Sequence, residues 1–442
     1  MILERWTYLL NLWIKRGHLL DPANNRNEIC DLYIKDGKVA GIGSLSSDTD
    51  TKEFEQDAVV IDVAGKYVMP GFLDLHVHLR EPGFEYKETI RTGTKAMAKG
   101  GFTGVCPMPN TQPATDSPEM IRRVLEIAEK DSPIHVYPVG AVTRGQMGEE
   151  MTDIAGMAAA GAKAISEDGK SVMNAEIYRQ AMKEAVKAGI PVLAHCEDKN
   201  MVGKGAMNAG KKAEELGMPG ITNAVEDVIV ARDILLAKET GAALHLCHCS
   251  TADSVKMVRE AKKDGVKVSG EVCPHHFAMT EDEIPEDDAN YKMNPPLRSQ
   301  ADVDALCQGL SEGAMEAIST DHAPHGEEEK KKSIAEAPFG IVGSETAYAL
   351  AVTHLVKKGY LTPMQLVERM STAPHRILGV PGGNLSVGMP ADITIADMDS
   401  EYVIDKNTFV SKGKNTPFHG HTVNGRVYYT IVGGNVVYEY KE

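Results

Sequence analysis

Several features that define membrane, secreted or nucleic-acid-binding proteins are missing from this sequence. It has no run of about 18 or more apolar residues, the length that a membrane-spanning helix needs. No basic patch is visible and the net charge is −16, which argues against nucleic-acid binding. Charge enters already at Glu4 and Arg5, too early for a secretory signal peptide. We therefore expect a cytoplasmic protein that contacts neither a membrane nor a nucleic acid.

The sequence also lacks the usual cysteine motifs of zinc sites and disulfide-bonded proteins. The seven cysteines include no Cys-x-x-Cys pair, the usual spacing of structural zinc sites, and they suggest no disulfide framework. Cys247 and Cys249 stand in a Cys-x-Cys arrangement, and Cys196 follows His195. This pattern favours small apolar core residues in a reducing compartment over a thiolate zinc site.

Two segments with a β pattern stand at opposite ends of the 442-residue chain. Short apolar runs separated by turns fill 12–65, and a similar texture returns over 391–396 and 423–438. Neither end has enough strands for a stable sheet by itself. The sequence therefore predicts one small β-sandwich domain built from both ends, residues 1–65 and 385–442.

A different pattern, strand then helix, repeats between these ends. The apolar content of 42% and charged content of 25% are typical of a soluble globular protein. Alternating strands and helices indicate parallel strands with helical crossovers. We predict an α/β fold in which residues 66–384 form a (β/α)8 TIM-like barrel. The predicted strands cover 68–78, 102–108, 134–139, 162–166, 190–195, 242–248, 266–272 and 315–320, and predicted helices cover 86–99, 118–130, 174–188, 224–239, 251–263 and 301–311.

Polar residues follow most of the predicted barrel strands. Catalytic groups of (β/α)8 barrels lie at the C-terminal ends of the strands. Coincidence explains the clusters poorly, because each one terminates a separate apolar run. The clusters contain His76, His78 and Arg80, then Asn110, Asp168, His195, His248, His275 and His276, and finally Asp321, His322 and His325.

The first cluster, His76-Val-His78-Leu-Arg80, has the alternation of a strand. Residues two apart share a face, so these three side chains are predicted to point the same way. Two converging imidazoles can begin a metal site, and the cation beside them suits an anionic substrate. A single histidine is more often a core residue than a ligand, so this interpretation needs partners elsewhere.

Those partners are available at the other strand ends. Imidazole and carboxylate ligands suit a divalent ion such as Zn²⁺, and the candidates exceed what one ion needs. Two ions about 3.5–4 Å apart can share a hydroxide that attacks an amide at neutral pH. Asp321 could take the proton of the attacking water and pass it to the leaving nitrogen. We infer one ion bound by His76, His78 and Asp321 and a second by His195 and His248, with Asp168 as a bridge.

Three other histidines compete for these roles. His245 lies three positions before His248, so on a strand the two side chains face opposite ways, and His248 is nearer the strand end. We prefer His248 as the ligand. His275 and His276 are interpreted as packing or orienting residues, which ligating imidazoles usually require.

Taken together, the motifs resemble the amidohydrolase superfamily and, within it, the dihydroorotases of the larger bacterial (class I) type. The resemblance covers about residues 12–440. The motifs that carry it are Asp74-Leu-His76-Val-His78-Leu-Arg80-Glu81-Pro82-Gly83, Pro107-Met-Pro-Asn110-Thr-Gln-Pro113, Ala194-His195-Cys-Glu-Asp, His248-Cys-Ser, Met293-Asn294-Pro-Pro-Leu-Arg298, Ser319-Thr-Asp321-His-Ala-Pro-His325 and Phe418-His-Gly-His-Thr-Val-Asn-Gly-Arg-Val.

The resemblance implies reversible closure of N-carbamoyl-L-aspartate to L-dihydroorotate in pyrimidine synthesis. It implies one or two Zn²⁺ ions per chain, bridged by Asp168, with Asp321 as the catalytic residue. An Arg–carboxylate pair would fix the orientation of the substrate. The implied substrate-binding residues are His78, Arg80, Asn110, Asn294, His325, Phe339 and Gly340.

One ligand distinguishes subfamilies of this superfamily. Hydantoinases, allantoinases and many dihydroorotases bridge their metals with a carboxylated lysine, and Lys163 is a candidate for that role. The Asp-Gly at Asp168 resembles the alternative used by the larger bacterial dihydroorotases. We favour Asp168, because it stands at the strand end where barrel sites form.

The segment after the last predicted strand has two features. Residues 326–332 form a charge run, which we interpret as individually solvated side chains. The whole loop, about 323–342, is long enough to be a lid, with Gly340 and Gly343 as candidate hinges.

Two other functions stay open. One is a hydantoinase-type or allantoinase-type cyclic amidase, against which Arg80, Asn110 and Asn294 argue. The other is a non-catalytic barrel that serves as an assembly partner, which the filled ligand positions disfavour. We expect a homodimer, the commonest soluble assembly, and the resemblance adds association with an aspartate transcarbamoylase.

Overall fold

The computed structural model describes residues 11–45, 52, 54 and 56–441 of the chain. Short strands and helices alternate along most of this length. The strands are β1 (Leu12–Asp21), β2 (Arg26–Lys35), β3 (Lys38–Ile42), β4 (Val59–Asp62), β5 (Tyr67–Pro70), β6 (Phe72–Val77), β7 (Phe102–Pro107), β8 (His135–Val136), β9 (Val139–Ala141), β10 (Ala164–Ser166), β11 (Val192–Ala194), β12 (Met207–Asn208), β13 (Gly220–Ile221), β14 (Leu244–Leu246), β15 (Val268–Val272), β16 (Ala317–Ile318), β17 (Ile393–Ala396), β18 (Glu401–Val403), β19 (Thr422–Asn424), β20 (Val427–Val432) and β21 (Asn435–Glu439).

The helices lie mostly between the strands of the middle region. All six predicted helices are confirmed, with shifts of a few residues at their ends. Side chains that accept backbone N–H bonds fix several of their starts, among them Ser117, Asn174 and Ser299. The α-helices are Ile90–Lys99, Pro118–Asp131, Ile154–Ala160, Ala175–Ala188, Lys199–Val202, Lys211–Leu216, Ala224–Thr240, Ala252–Lys263, Pro274–Ala278, Gln300–Glu312, Glu327–Lys330, Ala347–Ala351, Pro363–Val367 and Ala373–Leu378.

Parallel strands separated by helices form the middle of the molecule. β6 pairs with β7 and β7 with β8, while a second run pairs β9, β10, β11, β14, β15 and β16 in that order. β8 and β9 share one position, interrupted at Tyr137 and Pro138. Val77 forms a parallel bridge with His322, just beyond β16, and so links the last strand position to the first. The pairings follow the order that the predicted (β/α)8 barrel requires.

The two ends of the described chain meet in one sheet. Its order is β21-β20-β17-β5-β1-β2-β3, and β4 also pairs with β1. Hydrogen bonds thus connect eight strands from both ends of the chain, as expected for one β domain built from the two ends. β1 joins two parts of this sheet, because its register shifts between Ile14 and Gly17. The first half of β1 pairs with β4 and the second half with β5. An apolar core of its own, including Ile34 and Ile393, packs within this sheet.

The strand predicted over 68–78 divides into two. β5 belongs to the terminal sheet and β6 to the parallel set, and Gly71 is the junction between them. A side chain at Gly71 would approach Thr103 Oγ1 to 2.2 Å, so the close passage requires glycine. The transition therefore brings the terminal sheet directly against the first strand of the parallel set.

The described helices and the cysteines can both be compared with what the sequence predicted. None of the helices in the described part of the chain has the length and apolar character needed to cross a membrane. All seven cysteines are free, and six of them are buried, as expected for small core residues.

Candidate active site

The residues singled out from the sequence gather at the C-terminal ends of the parallel strands. His76 lies in β6 itself, and His195 follows β11 directly. Their side chains are buried, as are those of most of the other candidates. The remaining members follow β6, β7, β10, β14 and β16 and are His78, Arg80, Asn110, Asp168, His248 and Asp321.

The backbone at three of these positions has an unusual conformation. Arg80, His248 and Asp321 have φ angles of 61°, 34° and 47°. Residues with side chains rarely adopt this region, and such outliers concentrate at functional sites. They also correct the strand argument made for Arg80. Regular alternation ends with β6 at Val77, so Arg80 reaches the site from a left-handed turn and not from a strand face.

One carboxylate stands at the centre of the cluster. Asp168 Oδ1 lies 3.2 Å from His76 Nε2, 3.5 Å from His195 Nδ1 and 3.7 Å from His248 Nε2. Its other oxygen, Oδ2, lies 3.6 Å from His78 Nε2. The Asp168 carboxylate therefore faces all four imidazoles, with its two oxygens directed to different sides.

Asp321 completes the group on the side of β6. Its Oδ1 atom lies 2.9 Å from His78 Nε2 and 3.6 Å from His76 Nε2. On the other side, His195 Nδ1 and His248 Nε2 are 2.8 Å apart. The five side chains and Asp168 thus form two adjoining sets that share the Asp168 carboxylate.

These separations fit cation binding. Ligand atoms about 2.0–2.1 Å from a tetrahedral metal are roughly 3.3 Å from one another, close to the distances found here. His76 Nε2 is buried and has no hydrogen-bond partner in the described part of the chain. Despite the opposing effect of burial, Asp168 raises the pKa of both His76 and His195. The donor set therefore suits divalent cations, which would satisfy the orphaned nitrogen and the clustered charge.

A second layer of side chains orients the imidazoles. Glu271, in β15, lies 3.2 Å from His76 Nδ1 and accepts a hydrogen bond of 3.1 Å from the backbone N–H of His248. Asn110 Oδ1 lies 3.0 Å from His78 Nδ1. These acceptors favour a proton on each Nδ1, which leaves Nε2 of His76 and His78 free to bind a metal. Sequence reasoning missed Glu271, although an acidic residue within a buried strand is a signal in its own right.

The remaining histidines lie outside the two sets. His245 is engaged at both nitrogens, at 2.8 Å by Ser269 and at 2.9 Å by Glu271. His276 contacts the Pro295 carbonyl through Nε2 at 2.9 Å, and its ring packs against that of His275. This geometry agrees with the choice of His248 over His245 and with packing roles for the other pair.

Lys163 is far from the cluster. It is exposed and precedes β10, whereas Asp168 follows the C-terminal end of the same strand. Lys163 lines a surface pocket with residues of the helices Ile154–Ala160 and Ala175–Ala188. A lysine bridge from this position is therefore incompatible with the structure.

A cavity of ≈150 Å³ opens beside the cluster, and its size suits a small molecule. Arg80 lines it and donates from Nε to the Pro324 carbonyl at 3.1 Å. Asn294, also at the cavity, donates to Glu197. The cavity walls combine the metal-site candidates with a loop segment; they are His78, Arg80, Asn110, Asp168, Gly169, His195, His248, Asn294, Asp321, Phe339 and Gly340.

His325 lies behind this wall and does not line the cavity. Lys87 Nζ is 3.2 Å from its Nδ1, and the Phe339 carbonyl is 2.8 Å from its Nε2. An ammonium can only donate, so Nδ1 accepts and Nε2 donates to the carbonyl. Burial, together with Arg80 and Lys87, lowers the pKa of His325 to about 2. The ring is therefore neutral and fixes the loop at Phe339.

Backbone contacts hold the segment 323–342 against the end of the last parallel strand. It contains the short helix Glu327–Lys330, and Ile341 forms a parallel bridge with His322. The interpretation of the charge run as solvated is wrong for Lys330, which is only 7% exposed. Its amine donates hydrogen bonds to backbone carbonyls instead of to water. The local sequence pattern does not reveal these acceptors. The lid and its glycine hinges stay a prediction.

We expect a large effect on metal affinity from Glu271→Gln. The amide keeps the size of the side chain but can no longer hold His76 and His245 with a charged acceptor. Loss of such an outer partner typically lowers metal affinity about 10–100-fold. Competition with a chelating dye measures this change directly. Asp392→Asn is the matched control, because Asp392 is also buried but pairs with His135, a residue of β8 that belongs to neither set of ligands; equal losses in both variants would contradict the role of Glu271.

Parallel strands that end in a buried histidine and carboxylate cluster define the class of metal-dependent hydrolases. A family profile described as "Dihydro-orotase-like" matches residues 65–254. The chain is 48% identical over 428 residues to a dihydroorotase of Pelotomaculum thermopropionicum, covering 97% of this chain and 98% of that protein. It is 45% identical to a dihydroorotase of Acetivibrio thermocellus, covering 96% and 98%. The chain belongs to the dihydroorotase family.

A solved structure has a similar fold over nearly the whole length of the chain. An L-hydantoinase (dihydropyrimidinase) from Arthrobacter aurescens matches with a TM-score of 0.85 and 28% identity, over 98% of this chain and 97% of that one. Hydantoinases and dihydroorotases are both cyclic amide hydrolases. The likeness therefore supports an enzyme of this kind, with a mixed α/β architecture.

Proposed function

We propose that this chain catalyses the reversible, metal-dependent closure of N-carbamoyl-L-aspartate to L-dihydroorotate, a step of pyrimidine (UMP) synthesis. One observation carries the proposal above the others. The cluster around Asp168 and the Arg80 side chain line the same small cavity. A metal-activated amide chemistry and a site for a carboxylate are thus adjacent, as this substrate requires.

The proposed ligands follow from the two sets of side chains around Asp168. One cation would be held by His76, His78 and Asp321, and the other by His195 and His248. Asp168 would be the ligand that both cations share. Zn²⁺ is the proposed ion, because imidazole nitrogen and carboxylate oxygen are among its common ligands. When bound, the cations supply Lewis acidity and activation of water at neutral pH.

Asp321 is the proposed proton carrier. Although burial opposes its charge, His78 and His76 hold the pKa of its carboxyl well below the usual range. It is therefore ionised at neutral pH and can accept, at Oδ1 or Oδ2, the proton that the attacking water loses. In ring opening it passes this proton to the departing amide nitrogen, and in ring closure the transfer runs the other way.

Substrate orientation is assigned to the cavity wall. Arg80 binds the ring carboxylate of dihydroorotate, with Asn110 and Asn294 as further donors. The proposed set also includes His78, His325, Phe339 and Gly340. His325 acts through a hydrogen bond to the Phe339 carbonyl, and Phe339 and Gly340 line the cavity together with the metal-site candidates.

An assay of both directions tests the proposed function. Purified protein is expected to open dihydroorotate, to close N-carbamoyl-aspartate, and to carry up to two divalent ions per chain. Removal of the ions with a chelator should abolish turnover, and Zn²⁺ should restore it. Hydantoin and allantoin are the comparison substrates, since solved hydantoinases share the fold. Equal or faster turnover of either would favour a hydantoinase-type enzyme, and no turnover of any would favour an assembly partner without catalytic activity.

The proposal extends to the organisation of the protein. Residues 66–384 are assigned to a (β/α)8 hydrolase barrel, and 1–65 with 385–442 to the β-sandwich domain. We also propose a cytoplasmic homodimer, the commonest type of soluble assembly, that can associate with an aspartate transcarbamoylase. Sedimentation of the protein alone and mixed with a transcarbamoylase tests both assemblies.

A further inference from the structure

Lys330 stands out among the lysines near the active site. It ends the helix Glu327–Lys330 and is buried, whereas the next residue, Lys331, is exposed and pairs with Glu327 and Glu328. In the described part of the chain, no carboxylate lies within 4.0 Å of the Lys330 ammonium. Burial, with Lys292 nearby, lowers the pKa of Lys330 to about 7. The amine of Lys330 is therefore kept in the interior without a carboxylate partner, which needs an explanation.

Backbone carbonyls take the place of the missing carboxylate. Lys330 Nζ donates to the carbonyls of Gly340 at 2.9 Å, Pro338 at 3.1 Å and Lys292 at 3.3 Å. An ammonium group has three N–H donors, and these three bonds use all of them. The side chain thus joins two separate chain segments, one around 292 and the other around 338–340.

The segment 338–340 is the part of the loop that forms the cavity wall. Phe339 and Gly340 line the cavity beside the metal-site residues. Every carbonyl of the segment accepts a hydrogen bond from a side chain. Lys330 donates to those of Pro338 and Gly340, and His325 donates to that of Phe339. Asn415 adds a second bond to the Gly340 carbonyl at 3.0 Å.

The third acceptor of Lys330, the Lys292 carbonyl, belongs to a segment that also contacts this wall. The Lys292 carbonyl also accepts from the backbone N–H of Gly340 at 3.0 Å, and the Lys292 ammonium lies 4.4 Å from the centre of the Phe339 ring. Asn294, two residues further on, faces the cavity. Lys330 therefore connects the two segments that supply Asn294 and Phe339 to the site.

We propose that Lys330 is a positioning residue that sets substrate affinity by fixing the Phe339–Gly340 wall of the cavity against the segment 292–294. The proposal rests on the proposed function, because it assigns this wall to the dihydroorotate site. Lys330 contacts neither a metal-site candidate nor the cavity itself. Its effect should therefore appear in the binding of substrate and not in metal content or in the chemical step.

Steady-state kinetics of Lys330→Met tests this inference. Methionine keeps the length and apolar stem but removes all three donors. KM for dihydroorotate is expected to rise about tenfold or more, as loss of charged hydrogen bonds and a displaced wall predict. We expect kcat to stay within about threefold and metal content to be unchanged. Lys331→Met is the matched control, because its ion pairs are confined to the surface, and its KM should equal that of the wild type.

The possible outcomes separate this inference from the proposed function. Turnover by the wild type with an unchanged KM in folded Lys330→Met would overturn the positioning role alone. A fall in kcat at constant KM, or loss of metal, would overturn it as well. Absence of dihydroorotate turnover in the wild type would overturn both proposals. If Lys330→Met does not fold, Lys330→Gln, which keeps two N–H donors without the charge, is judged by the same KM criterion.

Discussion

Asp168→Ala is expected to reduce dihydroorotate turnover by at least about 10³-fold, because activation of water at neutral pH depends on the bound cations. Among the described residues, Asp168 is the one carboxylate within 4.0 Å of all four imidazoles, at 3.2–3.7 Å. Its loss also removes the negative charge that balances two adjacent cations. Metal analysis of the purified variant should therefore give at most one ion per chain, against up to two for the wild type.

Lys163→Ala is the control for this experiment. Lys163 is exposed at the opposite end of β10, so its removal should leave turnover and metal content at wild-type values. If Lys163→Ala lost metal and activity while Asp168→Ala kept them, the bridge assignment would be wrong. The pair of variants also separates the two ways in which members of the superfamily hold their metals.

The positions of the site residues could be predicted because two simple regularities coincide. Strand–helix alternation gives the order of the parallel strands, and parallel strands bring their C-terminal ends to one face. His76, Asp168, His195, His248 and Asp321 each lie at such an end, so neighbours in space could be inferred across large distances in sequence. The helices were predictable from the same strand–helix alternation, and five of the six predicted ones begin after a side chain that accepts a backbone N–H bond.

Other features depend on contacts that no local pattern encodes. Glu271 lies within an apolar strand, and only the structure reveals that it faces two histidines from other strands. Lys330 belongs to a run of charges that is typical of solvent-exposed loops, yet its amine reaches carbonyls up to 38 residues away in the chain. Long-range partners of this kind decide whether a charged side chain is buried.

The backbone supplies a third group of differences. The division of the predicted strand at Gly71 results from the close approach of Thr103, a residue of the neighbouring strand. The left-handed conformation of Arg80 similarly depends on its surroundings and not on its residue type, which disfavours it. Strand alternation correctly predicted that Arg80 lies at the site, but a turn and not a strand places it there.

Arg80→Ala is expected to raise KM for dihydroorotate about 100-fold, corresponding to roughly 3 kcal/mol, the upper range for charged hydrogen bonds. Arg80 lines the cavity, donates to the Pro324 carbonyl and has Nη2 3.2 Å from His325 Nε2, and neither neighbour is a metal-site candidate. Metal content should therefore stay at the wild-type value. Alanine retains a Cβ atom, so the φ of 61° at this position adds little strain beyond that already present in the wild type.

Two comparisons show whether the effect concerns the substrate carboxylate. Arg80→Lys keeps the positive charge but lacks the planar pair of donors, so its KM should lie between those of the wild type and Arg80→Ala. Any residual turnover of hydantoin, which lacks the carboxylate, should be the same in all three proteins. Loss of both metals in Arg80→Ala would instead identify Arg80 as a structural support of the cluster. An equal fall in hydantoin and dihydroorotate turnover would remove the carboxylate assignment, and with it the main distinction between this chain and the hydantoinases whose fold it shares.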